Sequence, residues 1–527
     1  MGETDVALVS FDTDRIKDYV FRYGRLQDIR GASSKLDRLN REEIPKVAET
    51  LPSRPKPVYS NGGGALFCVV PEEAQELITK VQELYIKETV TGSITGVTLL
   101  TQKDRLNQDF GECWTELSSR MREAKRQKDY VGSWFTFPFA RKCEACGSYP
   151  ASCLYQGTKA EEGEQYLCRS CYQKRTAGLG EESELRRQYQ DFHRQQQGAS
   201  SKIEWPRDLD DIGKADSGSL GGDFIGLIYC DGNDMGEALG KLRSLEELGR
   251  FSETVDRAVH QATFRAVYER LDANCWANGT FPFEPIILGG DDVIVVTSAS
   301  QALEIAMDIL NFFAQEVQGT VAESITLSAG VVIAPVKYPL TNVVDLAEEL
   351  LKLAKKGRVI RRHHPEWTGY LGPNRPQAEG SDSGPVKSGS RGMIDFAVLA
   401  GGLYPSLNFM RQSWVREENG QWLRLSLRPY TVEELAELVN CARALKGANM
   451  PRNKLQRLRR SLLESKADFA LTCLEVVSRL KAQPRQEMLK VFQTFGSSPL
   501  SPWVDMPAGQ GIGTPMLDLI EVYDLIG

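Results

Sequence analysis

Residues 285–296 read PIILGGDDVIVV, in which two apolar runs flank a pair of glycines and a pair of aspartates. The glycines are Gly289 and Gly290, and the aspartates are Asp291 and Asp292. Runs of β-branched residues around a glycine turn predict a strand, a tight hairpin and a second strand. Burying adjacent carboxylates against apolar strands is unfavourable unless cations neutralise them. The stretch therefore predicts a β-sheet with a metal site at its turn.

A second apolar run, FIGLIYC at 224–230, ends directly in Asp231. We interpret it as a strand with a carboxylate at its end, and Gly232 permits the close backbone turn that directs neighbouring oxygens to a cation. Three carboxylates suit two Mg²⁺ or Mn²⁺ ions about 4 Å apart, one activating a ribose 3′-hydroxyl and the other holding a triphosphate. We therefore predict that Asp231, Asp291 and Asp292 are metal ligands and catalytic residues of a nucleotidyltransferase. The alternative is a type I′ turn with solvated acids.

The order strand, helix, hairpin, helix, strand occurs twice, as in a split ferredoxin-like palm. The first copy has a strand at 6–11, helical sequence through 49, a hairpin at 57–70, a helix from 71 to about 88 and a strand at 96–100. The second begins at 223 and continues with the hairpin at 285–296, a helix at 301–317, a strand at 325–333 and a helix at 342–356. When the hairpins NGGGALFCVV and LGGDDVIVV are aligned, Gly64 and Ala65 stand where Asp291 and Asp292 stand. Divergent duplication explains this better than coincidence, with the first palm degenerate.

These patterns predict an α+β fold with four parts. Several domains are expected because one hydrophobic core stops growing at roughly 250 to 300 residues, and this chain has 527. The parts are a degenerate first palm at 1–105, a helical and cysteine-containing module with a polar linker at 106–222, a second, catalytic palm at 223–405, and a C-terminal helical domain at 406–527. The stretch at about 369–392 is rich in Gly, Pro and Ser, which is typical of a disordered insertion.

Four cysteines form two CxxC pairs, with 21 residues between the pairs. They are Cys143, Cys146, Cys168 and Cys171. Two such knuckles close a tetrahedron of thiolates around Zn²⁺ and leave no open position for catalysis. We predict a structural zinc site, with Cys153 outside it.

Composition limits the class of protein. Charged residues make up 26% of the chain, and the formal net charge of -7 disfavours a surface that binds nucleic acid everywhere. No apolar run approaches the roughly 18 residues of a membrane helix, and the acidic N-terminus lacks the basic region of a secretory signal. We expect a cytoplasmic protein with no membrane contact.

Two residues near the hairpin are candidate nucleotide contacts. Ser328 lies in the predicted strand LSAGVVIAP, and Lys355 lies on the following helix, AEELLKLAKKG. A lysine at this place can bind β- and γ-phosphates, although lysines near a helix C-terminus also interact favourably with the helix dipole. We favour the phosphate role for Lys355.

Six motifs follow one another along the chain. They are FDTDRIKDYVF with RGASSKLDRLN, the double CxxC, DGNDMG, LGGDD, LSAGVVIAPVKYPL with AEELLKLAKK, and RPYTVEELAELV. In this order they resemble the large polymerase-like subunit of type III CRISPR effector complexes, the Cas10/Cmr2 family. The hairpin alone is less specific, because diguanylate cyclases contain a similar one.

The resemblance implies that ATP is converted to cyclic oligoadenylate when guide RNA pairs with target RNA inside a complex with other type III subunits. It implies two palms that face each other with ATP between them, the second carrying the metals. It also makes Ser33, Asn61 and Gly63 of the first palm candidates for the acceptor ATP pocket. The C-terminal helices would pack against a small helical subunit near the target RNA.

The chain departs from the family pattern in two ways. Many members begin with a His-Asp nuclease domain, but none of the histidines here precedes an aspartate, so we predict no DNase activity. Where some members read DGD, this chain has Asp231, Gly232, Asn233 and Asp234, which leaves the role of Asp234 open.

Two other functions remain open at this stage. A palm of this kind could make another signalling nucleotide, such as a cyclic dinucleotide or an AMP conjugate, because base selection depends on pocket shape. The chain could also be a non-catalytic scaffold of an RNA-guided complex that retains its acids by descent. Loss of product in an Asp291→Ala, Asp292→Ala variant that still assembles would favour the enzyme.

Overall fold

The computed structural model of the chain describes residues 5–128, 139–157, 163–179, 183–198, 202–216, 222–271, 276, 279–363, 392–399, 406–496, 501–506 and 511–526. The predicted disordered insertion at about 369–392 lies outside the described residues, apart from residue 392.

The N-terminal part is built on a four-stranded antiparallel sheet. Its elements are β1 (Asp5–Asp14), α1 (Ile16–Val20), α2 (Leu26–Arg38), α3 (Ile44–Glu49), β2 (Pro57–Asn61), β3 (Gly64–Val69), α4 (Ala74–Thr89), β4 (Ser93–Gln102), α5 (Lys103–Gln108) and α6 (Phe110–Gln127). A short π-helical turn, Leu39–Glu43, joins α2 to α3. The strand order β2-β3-β1-β4 is that of a ferredoxin-like unit.

A small module follows. It consists of β5 (Cys153–Gln156), β6 (Glu164–Leu167), α7 (Arg169–Leu179), α8 (Glu184–Gln197) and α9 (Leu209–Ala215). The polar stretch expected to be a linker thus contains α9, whose N-terminus is capped by the Asp208 side chain and whose Ile212 is fully buried. That prediction was wrong here because seven residues are too few to display a helical period.

The second sheet repeats the strand order of the first. Its elements are β7 (Phe224–Asn233), α10 (Met235–Leu239), α11 (Leu245–Leu271), β8 (Phe283–Gly289), β9 (Asp292–Ser298), α12 (Ala302–Val317), β10 (Thr326–Pro335), α13 (Leu340–His363) and β11 (Met393–Val398). The order β8-β9-β7-β10 matches β2-β3-β1-β4, and β11 continues the sheet parallel to β10. The strand and helix pattern of an α+β palm is therefore present.

The C-terminal part is mainly helical. Its elements are α14 (Leu407–Ser413), β12 (Val415–Glu418), β13 (Gln421–Arg424), β14 (Tyr430–Thr431), α15 (Val432–Gly447), α16 (Arg452–Glu464), α17 (Lys466–Arg479), α18 (Ala482–Phe495), β15 (Val504–Asp505), β16 (Ile512–Gly513) and α19 (Met516–Leu525). The sequence did not predict its small sheet of order β12-β13-β16-β15, because these strands are only two to four residues long. β14 pairs with β11, so this part also adds an edge strand to the second sheet.

Successive residues of β1 contribute to two different hydrophobic cores. Leu8 packs into one core, whereas Ala7 and Val9 pack into the other. Side chains of a strand alternate between faces, so a strand covered on both faces becomes a continuous apolar run. The same cores contain residues of β7, including Ile228 in the first and Leu227 in the second. The two sheets are thus joined by shared packing, which fixes their hairpins relative to each other.

Candidate active site

The second sheet brings the three predicted acids to one end of neighbouring strands. In the β8–β9 hairpin Gly289 pairs with Asp292, so Gly290 and Asp291 form the turn. In the β7–β9 ladder Cys230 pairs with Val293, which places the next residues, Asp231 and Asp292, side by side. A two-residue turn and an antiparallel neighbour are therefore sufficient to gather Asp231, Asp291 and Asp292.

Position 232 must be a glycine because a side chain there would collide with Asp291. A β-carbon at this position would lie 2.5 Å from Asp291 Oδ2 and 2.9 Å from the Asp291 β-carbon. Gly232 does not have a positive φ, so the expectation that it permits a special backbone turn is corrected. Its missing side chain lets the Asp291 carboxylate lie against the strand that carries Asp231.

The pKa values of Asp291 and Asp292 are raised above the usual range of a carboxyl. Burial is the largest cause for both Asp291 and Asp292, and the nearby Asp231 charge raises both further. Buried like charges favour the protonated forms, and a bound divalent cation reverses this preference. The electrostatics are therefore those of a site that favours a cation.

Lys355 from α13 reaches this group of acids. Its Nζ lies 2.5 Å from Asp231 Oδ2 and donates to the carbonyl oxygen of Gly232 at 2.7 Å. The predicted phosphate-binding residue is thus placed beside a predicted metal ligand.

Lys17 was not predicted from the sequence. It lies on α1 of the first palm, yet its Nζ is 3.0 Å from Glu348 Oε2 and 4.7 Å from the centre of the Tyr229 ring, both in the second palm. Its positive charge opposes, without cancelling, the rise in the pKa of Asp292 that burial and the other acids cause. The only sequence feature that could have indicated Lys17 is its position just after the acids of β1, because contacts between the palms produce no local sequence pattern.

The turns of the two palm hairpins contact each other directly. A β-carbon at Gly62 would lie 2.8 Å from both the α-carbon and the nitrogen of Gly290. Gly62 and Gly290 also have positive φ values, +55° and +61°, which favour glycine. The first palm therefore lies against the acid-bearing turn.

The register of the hairpins corrects the sequence alignment by one residue. Asn61 pairs with Gly64 in the first hairpin, as Gly289 pairs with Asp292 in the second. Gly63 and Gly64, and not Gly64 and Ala65, therefore correspond to Asp291 and Asp292. The alignment was wrong because a run of three glycines gives no register of its own, whereas strand pairing does.

The three candidates for an acceptor ATP pocket do not share one cavity. Asn61 lines a cavity of about 390 Å³ together with Asp12 and Asp291. Ser33 and Gly63 line a separate, smaller cavity of about 60 Å³ together with Asp292. The Ser33 hydroxyl also donates to the carbonyl oxygen of Ile286. The structure thus divides the predicted pocket in two.

Ser328 is fully buried and lines neither of these two cavities. Its hydroxyl donates to Asn233 Oδ1 at 3.1 Å and accepts from the Met393 backbone N–H at 3.2 Å. Asn233 in turn donates to Thr326 Oγ1 at 2.9 Å. These bonds tie the end of β7 to β10 and β11.

Asp234 forms ion pairs with two arginines. Its Oδ2 lies 2.5 Å from Arg358 and 3.4 Å from Arg362. The hydrogen bond from Arg358 is the largest influence on Asp234 and holds the pKa of its carboxyl below the usual range. The contacts therefore place Asp234 in an ion-pair network.

The first palm repeats one contact of the site. Lys125 of α6 lies 2.6 Å from Asp12 Oδ2, as Lys355 of α13 lies 2.5 Å from Asp231 Oδ2. Asp12 pairs with Gly64 in the ladder, so it occupies the place of Asp231. The degenerate palm thus keeps the strand acid and its lysine but not the acids of the turn.

The four predicted zinc ligands converge. One ligand atom from each of Cys143, Cys146, Cys168 and Cys171 lies within 4.8 Å of the others, so this cluster could hold zinc. Among the described residues, this is the one group of three or more acidic, histidine or cysteine side chains whose ligand atoms lie close enough together to hold a single metal ion.

The cysteine module is clamped to α2. Arg175 of α7 lies 2.6 Å from Asp28 Oδ1, and both side chains are about 2% exposed. A β-carbon at Gly178 would lie 2.0 Å from the carbonyl oxygen of Gln27, so the helices cross at backbone contact. The cluster therefore supports the first palm.

A two-palm fold with an acid-bearing hairpin defines the class of protein, and comparisons define it further. Residues 224–361 match the model of the family described as Cas10/Cmr2, second palm domain. No curated protein sequence matches the chain significantly. No described helix is long and apolar enough to cross a membrane.

Solved structures share the fold across the chain. Csm1 from T. onnurineus is 15% identical with a TM-score of 0.59, covering 100% of this chain and 70% of that one. A Csm1-Csm4 cassette in complex with cA4 is 13% identical, with a TM-score of 0.58 and coverage of 99% and 70%. A cassette in complex with one ATP is also 13% identical, with a TM-score of 0.58 and coverage of 100% and 70%. Residues 224–361 thus resemble the second palm domain of Cas10/Cmr2, and the chain shares the fold of Csm1.

Proposed function

We propose that the chain is the nucleotidyltransferase subunit of a type III CRISPR effector complex and makes cyclic oligoadenylate from ATP when target RNA is bound. The observation that carries this proposal is the group formed by Asp231, Asp291 and Asp292, in which burial and mutual repulsion raise the pKa of two carboxyls. Such a group is stable in its ionised form only with cations beside it. Its place against the turn of the other palm supports a reaction between two nucleotides.

The three aspartates fit two Mg²⁺ or Mn²⁺ ions, because both are hard cations that prefer carboxylate oxygens. When bound, such ions lower the pKa of an attacking hydroxyl and stabilise the leaving pyrophosphate. Asp231 and Asp292 lie side by side on paired strands, and Asp291 lies in the turn.

Two lysines from different palms complement the charge of a triphosphate. Lys355 lies 2.5 Å from Asp231, and Lys17 is close enough to oppose the rise in the pKa of Asp292. An ammonium beside a metal ligand can bind a phosphate oxygen without moving far. We assign to both lysines the binding of the donor nucleotide's phosphates.

The cavity of about 390 Å³ suits the nucleoside of the second, acceptor nucleotide. Its lining includes the aromatic side chains of Tyr59, Trp114 and Phe251, and its polar end carries Asp291. Ligand cavities of this size typically combine apolar walls with a few polar groups. A base against the aromatic walls would direct its ribose 3′-hydroxyl to the metal ligands. We therefore move the acceptor site from Ser33 and Gly63 to this cavity.

The partners of the proposed function are inferred by likeness. One Csm1 homologue was solved with Csm4, and another Csm1-Csm4 subcomplex belongs to a type III-A CRISPR-Csm interference complex. Structures of homologues also contain cA4, cA3 and ATP. We propose comparable subunits, a guide RNA and a target RNA as partners of this chain, and a structural zinc ion for its four cysteines.

The test is the nucleotide product of the assembled complex, identified by mass spectrometry with ATP, Mn²⁺ and cognate target RNA. Cyclic oligoadenylate from the wild type, and none from an Asp291→Ala, Asp292→Ala variant that still assembles, is the expected result. Consumption of GTP instead of ATP would assign another signalling nucleotide. If the wild-type complex makes no product with any target RNA, the chain would instead be a non-catalytic scaffold.

A further inference from the structure

An arginine of the first palm forms a bidentate salt bridge with an aspartate of the second palm. Arg41 lies in the π-helical turn after α2, and Asp256 lies on α11. Arg41 Nη1 donates to Asp256 Oδ2 at 3.0 Å, and Nη2 donates to Oδ1 at 2.9 Å. The side chains are only 25% and 15% exposed, so solvent screens the pair weakly.

The same carboxylate holds the acid-bearing turn. Asp256 Oδ1 accepts a hydrogen bond of 3.0 Å from the backbone N–H of Gly290. Asp291 is the next residue in the chain, and Asp292 follows it. Because the donor belongs to the backbone, this bond fixes the turn independently of the side chains that it carries.

Other groups around the pair keep it in place. Asp37 Oδ1 accepts from Arg41 Nε at 2.7 Å, so three nitrogens of the guanidinium are bonded. The His260 ring hydrogen bonds to the Asp256 carbonyl oxygen at 2.8 Å, one helical turn along. On its other side the Gly290 turn lies against the backbone of Gly62. The first palm thus contacts the turn twice, through Gly62 and through Arg41.

We propose that Arg41 and Asp256 are positioning residues of the metal site, so that the degenerate palm sets the geometry of the Asp291–Asp292 turn. This inference rests on the proposed function, because it concerns the same metal ions. A metal pair requires its carboxylates to be held within about 0.5 Å of the productive geometry. In this proposal both residues act through the backbone of Gly290 and not as metal ligands.

The test is the binding of Mn²⁺ to the purified full chain, followed by electron paramagnetic resonance. Asp256→Ala is expected to weaken Mn²⁺ binding by about 10-fold or more, the range found when a partner of a metal ligand is removed. Asp256→Asn keeps an oxygen for the Gly290 N–H and is expected to lose less. Glu269→Ala is the matched control, because it removes an exposed ion pair with Arg265 on the same helix.

Arg41→Ala tests the contact from the first palm. It is also expected to weaken Mn²⁺ binding, and it replaces Asp256→Ala in the test if that variant does not fold. Raising the Mn²⁺ concentration should restore nucleotidyl transfer in both variants, a rescue that general damage to the fold would not give. Wild-type Mn²⁺ affinity in every folded variant of Arg41 and Asp256 would overturn the inference alone. Equal Mn²⁺ binding by the wild type and by Asp291→Ala, Asp292→Ala would instead overturn the proposed function, and the inference with it.

Discussion

The carboxyls of Asp291 and Asp292 are electrostatically unfavourable in the isolated fold. Burial and the nearby charge of Asp231 both disfavour ionisation. Lys17 and Lys355 offset only part of this, since the pKa of each carboxyl remains raised. A protein that keeps such residues carries a local loss of stability that ligand binding can recover.

This electrostatic strain predicts a specific pH dependence. A carboxyl with a raised pKa holds its proton in the folded state at pH values where the unfolded chain, with a pKa of about 4, has released it. In buffer freed of divalent cations, the free energy of unfolding should therefore fall as pH rises from about 4, the pKa in the unfolded chain, towards the raised pKa of the folded chain. Urea titrations across this pH range measure the slope. Asp291→Asn, Asp292→Asn should flatten it, and an equally steep slope in that variant would contradict the assignment.

Gly232→Ala tests the close packing of the acids. The new β-carbon would lie 2.5 Å from Asp291 Oδ2, so the carboxylate must move. A displacement of about 1 Å in a catalytic constellation costs on the order of 100-fold in rate. Gly236→Ala, four residues along with no atom within 4 Å of the new carbon, is the control and should keep wild-type rate. Steady-state rates of ATP conversion decide between the two outcomes.

Single residues were predictable where the chemistry is local. Asp231, Asp291 and Asp292 follow apolar runs and glycines, and strand pairing alone then brings them together. Ser328 lies in the predicted strand, but its hydroxyl bonds to Asn233 and Met393, a partner choice that depends on distant chain segments. For the same reason no local pattern indicated that Lys17 contacts the second palm.

At the scale of elements, the internal repeat extends further than the hairpins. α6 follows β4 as α13 follows β10, and each helix places a lysine beside the acid of the central strand. We propose that α6 belongs to the first palm repeat, although its sequence suggested a separate helical module. Comparing the two repeats by sequence did not reveal that α6 and α13 are equivalent, because the sequence of a helix can change freely at the many positions that make no contacts.

The zinc module gives a prediction at the same scale. The wild type should contain about one zinc per chain, measured by inductively coupled plasma mass spectrometry. Cys168→Ser, Cys171→Ser should lose it and lower the melting temperature, because α7 carries the Arg175 bond to Asp28. Cys153→Ser, outside the cluster, should change neither quantity. Full zinc content in the double variant would show that other residues bind the metal.

At the scale of the whole molecule, two similar palms have taken different roles. Their strand orders are the same, their cores are shared, and their turns touch at Gly62 and Gly290. The order of elements in both palms was readable from hydrophobic periodicity and glycine turns, because those signals are local. Which faces meet was not readable, since packing between distant segments has no periodic signature.

The central claim is that Asp231, Asp291 and Asp292 hold cations that bind a triphosphate. Crystals of the full chain with Mn²⁺ and a non-hydrolysable ATP analogue, measured for anomalous scattering, test it most directly. We predict two manganese peaks about 4 Å apart, in contact with these carboxylates and with the phosphates, and the Lys355 ammonium close to the same phosphates. Triphosphate bound elsewhere, or no manganese at the three acids, would contradict the account.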